Sequence, residues 1–338
     1  AGFKPDQVAA LDPTAMAGFD PNRMKALDPT AMAGFKADQM AALDTTAVAA
    51  LDATQFGNLA AGAMAGFDSL KLNALDPTTM AGMRSDQIAG LKADAMGGFS
   101  RDQMTALAPT AVAGFKSDQV GALDPTAMAG FRADQVAAMD PTAMGGFKQN
   151  QIAAFDPNAV AGFKPDQVAA FDPNAVAGFK PDQVAALDPT AVAGFKPTQV
   201  SALDPEAMTG VKQDQMKNFS KDAVGGITND QFAKLPDDAL KGLTKDNLGG
   251  LGTDVVKNFD DTTIAKLDPN EVKSLAGDDF SKLMTNVDPT KVTADAVDDL
   301  LPTGWELDKA TGDLKAPPGA PLSFKTIDKA AATNINDT

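Results

Sequence analysis

Phe163-Lys164-Pro165-Asp166-Gln167-Val168-Ala169-Ala170-Phe171-Asp172-Pro173-Asn174-Ala175-Val176-Ala177-Gly178 decides the fold. Two large apolar residues, Phe163 and Phe171, stand eight apart, and each is followed five positions later by another, Val168 and Val176. Apolar spacings therefore run five, three, five, three. A strand needs a period of two, which is missing, whereas a spacing of three puts Val168 and Phe171 on one face of a helical turn. Working outward, the first-position residue recurs every eighth position without insertion, upstream to Phe3, Leu11, Phe19 and Leu27 and downstream to Leu283. The second series runs beside it as Val8, Met16, Met24, Met32, Met40 and Val48. The unit is an octad.

Each octad carries its own start signal. Asp12 is placed as an N-cap and Pro13 at the first helical position, where its missing N–H is of no consequence. Gly18 is read as a left-handed exit from the helix. The result is a helix of roughly one and a half turns, far below the ~12–15 residues that stand alone in water. Such helices exist only by stacking on one another, as in other quasi-one-dimensional arrays.

Two kinds of octad alternate. From Leu11 to Leu235, every second octad ends in Gly in 14 of 15 cases and has Ala at its fifth position in 14 of 15, so it is called here the glycine octad. The interleaved octads have Gln at the fifth position in 13 of 16, including Gln7, Gln39, Gln55, Gln87 and Gln103, and are the glutamine octads. Sixteen residues is thus the sequence repeat. It predicts an all-α solenoid in which octads pair as 16-residue coils, like stacked on like. With helices ~8–10 Å apart this would give a rod of roughly 140–175 Å. Coils of three octads are the alternative, and they would set unlike octads in register. A β-solenoid is the other, opposed by Pro at the third position and by few β-branched residues.

Beyond Val211 the octads diverge but hold register, with Lys221, Lys234, Lys241 and Lys266 bringing charge. The expected organisation is an octad solenoid over 3–286, a terminal helical cap over 287–301 with a helix from Thr293 to Leu301, and a C-terminal arm over 302–338. In that arm Trp305–Leu314 reads as a small hairpin around Thr311-Gly312. Ala316–Pro321 reads as extended linker, and Leu322, Phe324 and Ile327 as a further alternating run.

Composition limits the chemistry. The chain has 338 residues with no Cys, His or Tyr, a single Trp and a net charge of −16. Disulfides, thiol and imidazole catalysis and Cys/His metal sites are excluded. The acidity opposes nucleic acid as a partner, since phosphate binding needs a basic stripe. No apolar run is long enough to span a bilayer. The Asp series (Asp12, Asp28, Asp124, Asp188) does not supply the six to eight converging oxygens of a calcium site and reads as N-caps. The Gln series reads as half of a capping box or as a bond between coils. Met16, Met24, Met32 and Met40 read as core filler. Pairs such as Asp237-Asp238 read as solvated charge. No catalytic residue, cofactor or metal ligand is expected, and the protein is not read as an enzyme.

Octads of the form Phe35-Lys36-Ala37-Asp38-Gln39-Met40-Ala41-Ala42-Leu43 resemble the repeat tracts of very large bacterial repetitive surface and adhesin-like proteins, over about residues 3–283. The chain departs from those tracts by its heavy use of Pro at the third position and by alternating two octad types. The resemblance implies an extracellular, extended spacer and names no ligand.

The functional expectation is a structural protein: a stalk, fibre or filament subunit at the cell surface, outside the cell or on a virion. The chain opens at Ala1 with neither Met nor a signal-like segment, as a mature product or fragment would. Phe3, Val8 and Leu11 already form a full octad, so the first coil is expected to present an apolar end. Its expected partner is another copy of the chain, with Phe3, Val8, Leu11, Trp305, Leu314, Leu322, Phe324 and Ile327 as the assembly interface. The rival readings are a surface binding solenoid that uses an exposed Gln/Thr/Lys ladder, and a phage appendage.

Overall fold

The computed structural model describes residues 2–288, 290–308 and 313–315. They fall into two compact units, Ala1–Phe179 and Lys180–Thr338. Leu322, Phe324, Ile327 and the Thr311-Gly312 turn lie outside the described residues, as does the Leu314 side chain.

In the first unit each octad forms one helix of four to six residues, as in Pro5–Ala9, Ala37–Ala42 and Thr45–Val48. Several glycine octads wind more tightly as 3-10 helix, including Pro13–Gly18 and Pro29–Gly34. Between helices the chain turns on two extended residues. Phe35 (φ −67°, ψ 139°) and Lys36 (φ −107°, ψ 164°) make one such corner. Where the third position is Pro, its ring disfavours the helical region for the residue before it, and Asp12 accordingly sits at φ −66°, ψ 136°.

The left-handed exit expected at Gly18 is not used. Among the described residues only Gly304 has positive φ. The eighth-position glycines answer a different demand. A Cβ at Gly34 would lie 2.7 Å from the Pro5 carbonyl carbon and closer still to its oxygen. Glycine lets the backbones of successive coils touch.

That contact also corrects the coil length. Ala37–Ala42 packs on Pro13–Gly18 on one side and on Ala61–Gly66 on the other, and Ser69–Asn73 packs on Ala93–Gly98. Neighbours along each column are 24 residues apart, so a coil holds three octads rather than two. Because three is odd, every glutamine octad lies between two glycine octads. The all-α solenoid of short helices stands; the 16-residue pairing belongs to the sequence and not to the coil.

First-position and sixth-position side chains both point inward. Phe35, Met40, Leu43 and Val48 are buried, and so are their counterparts along the unit from Met24 onward. Rings from neighbouring corners and neighbouring coils meet in a shared interior, as in Phe155–Phe163 (centroids 5.8 Å) and Phe147–Phe171 (5.9 Å). The Met series is core filler, as expected.

The second unit repeats this rule. Pro181–Ala186 packs under Pro205–Gly210, and Gln213–Asn218 under Asp237–Leu240. The array then gives way to a helix of ten residues, Gly277–Asn286, whose Phe280 is fully buried. The helix expected over Thr293–Leu301 occupies Ala294–Asp298, with the Thr293 hydroxyl accepting the Ala296 N–H. The expected hairpin is present as antiparallel strands Glu306–Asp308 and Asp313–Lys315, with Leu307 opposite Leu314.

Candidate functional site: the contact between coils

The chemistry-bearing residues of the repeat converge on one place, the seam between one coil and the next. Gln39 shows the pattern. Its Oε1 accepts the Lys36 N–H (2.9 Å), which closes the start of its own helix, and its Nε2 donates to the Val8 and Leu11 carbonyls of the preceding coil (both 2.8 Å). Both readings of the Gln series are therefore realised by one side chain. Gln87, Gln119, Gln135 and Gln151 repeat the arrangement in the first unit, and Gln215 and Gln231 in the second. Asn247 keeps it with a shorter arm, donating to the Met216 and Phe219 carbonyls (2.9 and 3.2 Å). All of these amides are buried, where a carbonyl without a partner is costly.

This placement removes the exposed Gln ladder of the binding-solenoid reading. From Gln39 to Gln231 the described members of the series are buried, not on the surface. Two glutamine octads depart from the pattern: Arg23 takes the Gln position, is exposed and donates to the Gly18 carbonyl, and Lys71 takes it, is buried, and pairs with Asp68 (3.1 Å).

The Asp series caps helices, as expected. Asp124 Oδ1 accepts the Thr126 N–H (2.8 Å) and the Thr126 hydroxyl (2.7 Å), and Asp12, Asp28, Asp44, Asp76, Asp140 and Asp188 do the same with their own Thr. Donation first by the hydroxyl and then by the N–H holds these carboxyls below their ordinary value.

The second-position cations bond both within their own octad and across to the preceding coil. Arg84 bonds Asp86 of its own octad (3.0 Å) and reaches across to the Gly57 carbonyl, and Arg132 does the same with Asp134 (3.2 Å) and the Thr105 carbonyl. Lys116 Nζ reaches the Ala89 carbonyl at 2.7 Å. These bonds join residues 27 apart and clamp one coil to the next. Reading the sequence in 16-residue coils concealed them.

The expected interface residues divide. Phe3, Val8 and Leu11 lie together in the first coil, but only Phe3 (45% exposed) and the half-buried Leu11 are offered to the surface; Val8 is wholly inside. Trp305 is 8% exposed and packs edge-on against Phe280 at 5.2 Å. It serves as a cover within the second unit rather than as a free docking residue.

In the second unit, ion pairs link coils beside the amides. Lys221 meets Asp279 (2.6 Å), Lys266 meets Asp237 (2.8 Å), and Lys234 meets Glu206, which raises the Lys234 pKa. No helix among the described residues is long and apolar enough to cross a membrane. No protein-family model matches the chain, and no curated protein matches it.

Proposed function

We propose that the protein is structural: an extended stalk, fibre or filament subunit, working at a cell surface, outside the cell or on a virion, with copies of itself as partners. The observation that supports this most directly is the use of the repeat's polar side chains. Gln39 and its counterparts, Asp124 and its counterparts, Arg84 and Lys116 all bond backbone that holds one coil to the next or closes a helix start. A chain that repeats one such interlock gains length and stiffness with each coil and gains no new surface chemistry. The resemblance of its octads to repetitive bacterial surface proteins favours the same reading. It is tested by imaging purified protein in negative stain at several concentrations. Straight particles of uniform width, single or joined end to end, are expected; compact or flexible particles refute the proposal.

A further inference from the structure

The glutamine position changes character where the second unit's array ends. Counted in sixteens, it passes from Gln215 and Gln231 to Asn247, Thr263 and Asp279. Asn247 still donates to the Met216 and Phe219 carbonyls. The same offset would aim residue 279 at the Leu248 and Leu251 carbonyls, and an ionised carboxylate has no proton to give them. Asp279 pairs instead with Lys221, whose ammonium meets both of its oxygens (2.6 and 2.7 Å) across 58 residues of sequence. Gly249 makes the room for this, since a Cβ there would lie 2.6 Å from the Asp279 Cγ.

Asp279 belongs to the helix Gly277–Asn286, which lies on Leu248–Gly250 and Thr253–Val256 and sets Phe280 against Trp305. Three further residues tie this end to the array. Lys282 Nζ donates to the Gly249 carbonyl (3.1 Å). Lys291 Nζ donates to the Lys257 carbonyl (3.0 Å) and to Asn258 Oδ1 (2.9 Å), and the Thr293 N–H donates to Asp261 Oδ1 (2.7 Å). Each of these four joins uses an ionised group, whereas a seam such as that of Gln215 uses a neutral, buried amide.

We infer that residues 277–305 form a latched cover, held on the end of the coil array by the Lys221–Asp279 pair and released as ionic strength rises. The Lys221 side chain is 45% exposed and that of Asp279 21%, so mobile ions reach the pair. The screening length shortens from about 10 Å at 0.1 M salt to about 3 Å at 1 M, and partly exposed pairs weaken with it. A buried neutral amide has no charge to screen. The coils respond with the opposite sign, because salt relieves the self-repulsion of a chain with net charge −16. One change of medium therefore loosens the cover while the array holds or firms. The latch goes beyond the structural role and does not depend on it.

The test compares the full chain in about 0.05 and 1 M sodium chloride, by the emission of Trp305 and by native-state hydrogen exchange. At high salt the emission should move to the red, and the Phe280–Leu283 amides should exchange at least about fivefold faster. The Gln119 and Gln215 carboxamides should exchange no faster. Lys221→Met keeps the aliphatic stem and deletes the charge, so its cover should be loose at low salt and indifferent to added salt. Lys221→Arg should latch like the parent. Gly249→Ala removes no charge but crowds Asp279, and should behave as Lys221→Met does. A cover that exchanges equally at both salt concentrations overturns the inference. So does a salt response that survives Lys221→Met, a Gly249→Ala chain that latches like the parent, or a loosening of cover and coils together.

Discussion

Replacing Gln119 by Leu removes the interlock at one seam while keeping the side chain's bulk. Three bonds disappear: Nε2 to the Ile88 carbonyl (2.7 Å), Nε2 to the Leu91 carbonyl (2.8 Å), and the Lys116 N–H to Oε1 (2.9 Å). The Ile88 carbonyl still accepts the Leu91 N–H (3.0 Å), so the losses fall on the Leu91 carbonyl and the Lys116 N–H. A buried carbonyl and a part-buried N–H without partners, at about 1–3 kcal/mol each, give a local destabilisation of about 2–6 kcal/mol. A repeat array need not unfold in one step, so the change belongs to the seam and is read by native-state hydrogen exchange. At about 1.4 kcal/mol per factor of ten, amides flanking residues 88–91 and 116–119 should exchange at least thirtyfold faster, with distant coils unaffected. Gln119→Glu sharpens the test. Its carboxylate would face two carbonyl oxygens in a buried place, so the charged form is disfavoured and the folded pKa rises above the unfolded value. The stability such a group allows is present at low pH and is lost as pH rises through the folded pKa. Gln119→Glu should therefore recover toward the parent on acidification. An exchange change below fivefold for Gln119→Leu, or no acid recovery for Gln119→Glu, would refute the amide interlock.

Neighbouring glycines should respond with opposite sign. Gly98→Ala places a Cβ 2.8 Å from the Ser69 carbonyl carbon and should open that seam, while Gly97→Ala finds nothing nearer than the Ala122 oxygen at 3.9 Å and should stabilise its helix by about 0.4–1 kcal/mol, both measurable by exchange or urea unfolding. The Asp caps set the parent's acid response: their folded pKa values are lowered, so their contribution is present above the unfolded value and lost as pH falls through the folded one. Stability followed by circular dichroism should decline below about pH 4, and Thr126→Ala should flatten the part due to Asp124. Phe280→Ala should cost about 3–5 kcal/mol at the cover of the second unit and shift the emission of the single Trp305 to the red, with the octad helices retained; unchanged emission would place Trp305 elsewhere.

Much of this was legible in the sequence, and the errors share one cause. Phe3 to Leu283 at every eighth position gave the core, Asp12 and Pro13 gave the helix starts, and Trp305–Leu314 gave the hairpin. These depend on local rules that a single octad obeys by itself. Coil length is a relation between octads, and a strict repeat looks the same whichever copy it is stacked upon. The alternation of Gly34 with Gln39 was visible, yet it was read as like on like. A left-handed turn also explains a glycine, so nothing in Gly18 or Gly34 alone disclosed the carbonyl pressed against it. Nothing in the sequence marks Lys116 and Arg84 as clamps, because their acceptors, 27 residues back, are backbone atoms that no side-chain pattern singles out.

The same parity yields a prediction that runs against intuition. Deleting Phe99–Gly114 removes two octads and leaves less than a whole number of coils, whereas deleting Phe99–Ala122 removes one complete coil. Stacking partners are three octads apart, so removing an even number keeps unlike octads in contact and removing an odd number does not. After the shorter deletion the octad at Phe115, with its Gln119, comes to rest on the glycine octad at Leu75. After the longer one the octad at Phe131 rests on its own kind at Met83, bringing the Cβ of Ala138 over a third-position carbonyl that elsewhere meets glycine. Beside it the glycine octad at Leu123 rests on the glycine octad at Leu75, with Ala127 where an amide donor is called for. The three columns are close enough to equivalent that a shift between them is tolerated, but the two octad types are not interchangeable within a column. Hydrogen exchange across each junction decides the matter: protection should persist after the sixteen-residue deletion and collapse after the twenty-four-residue one. Equal protection in both would mean that coils stack without regard to octad type, and that the alternation of Gln and Gly does not hold the coils in phase.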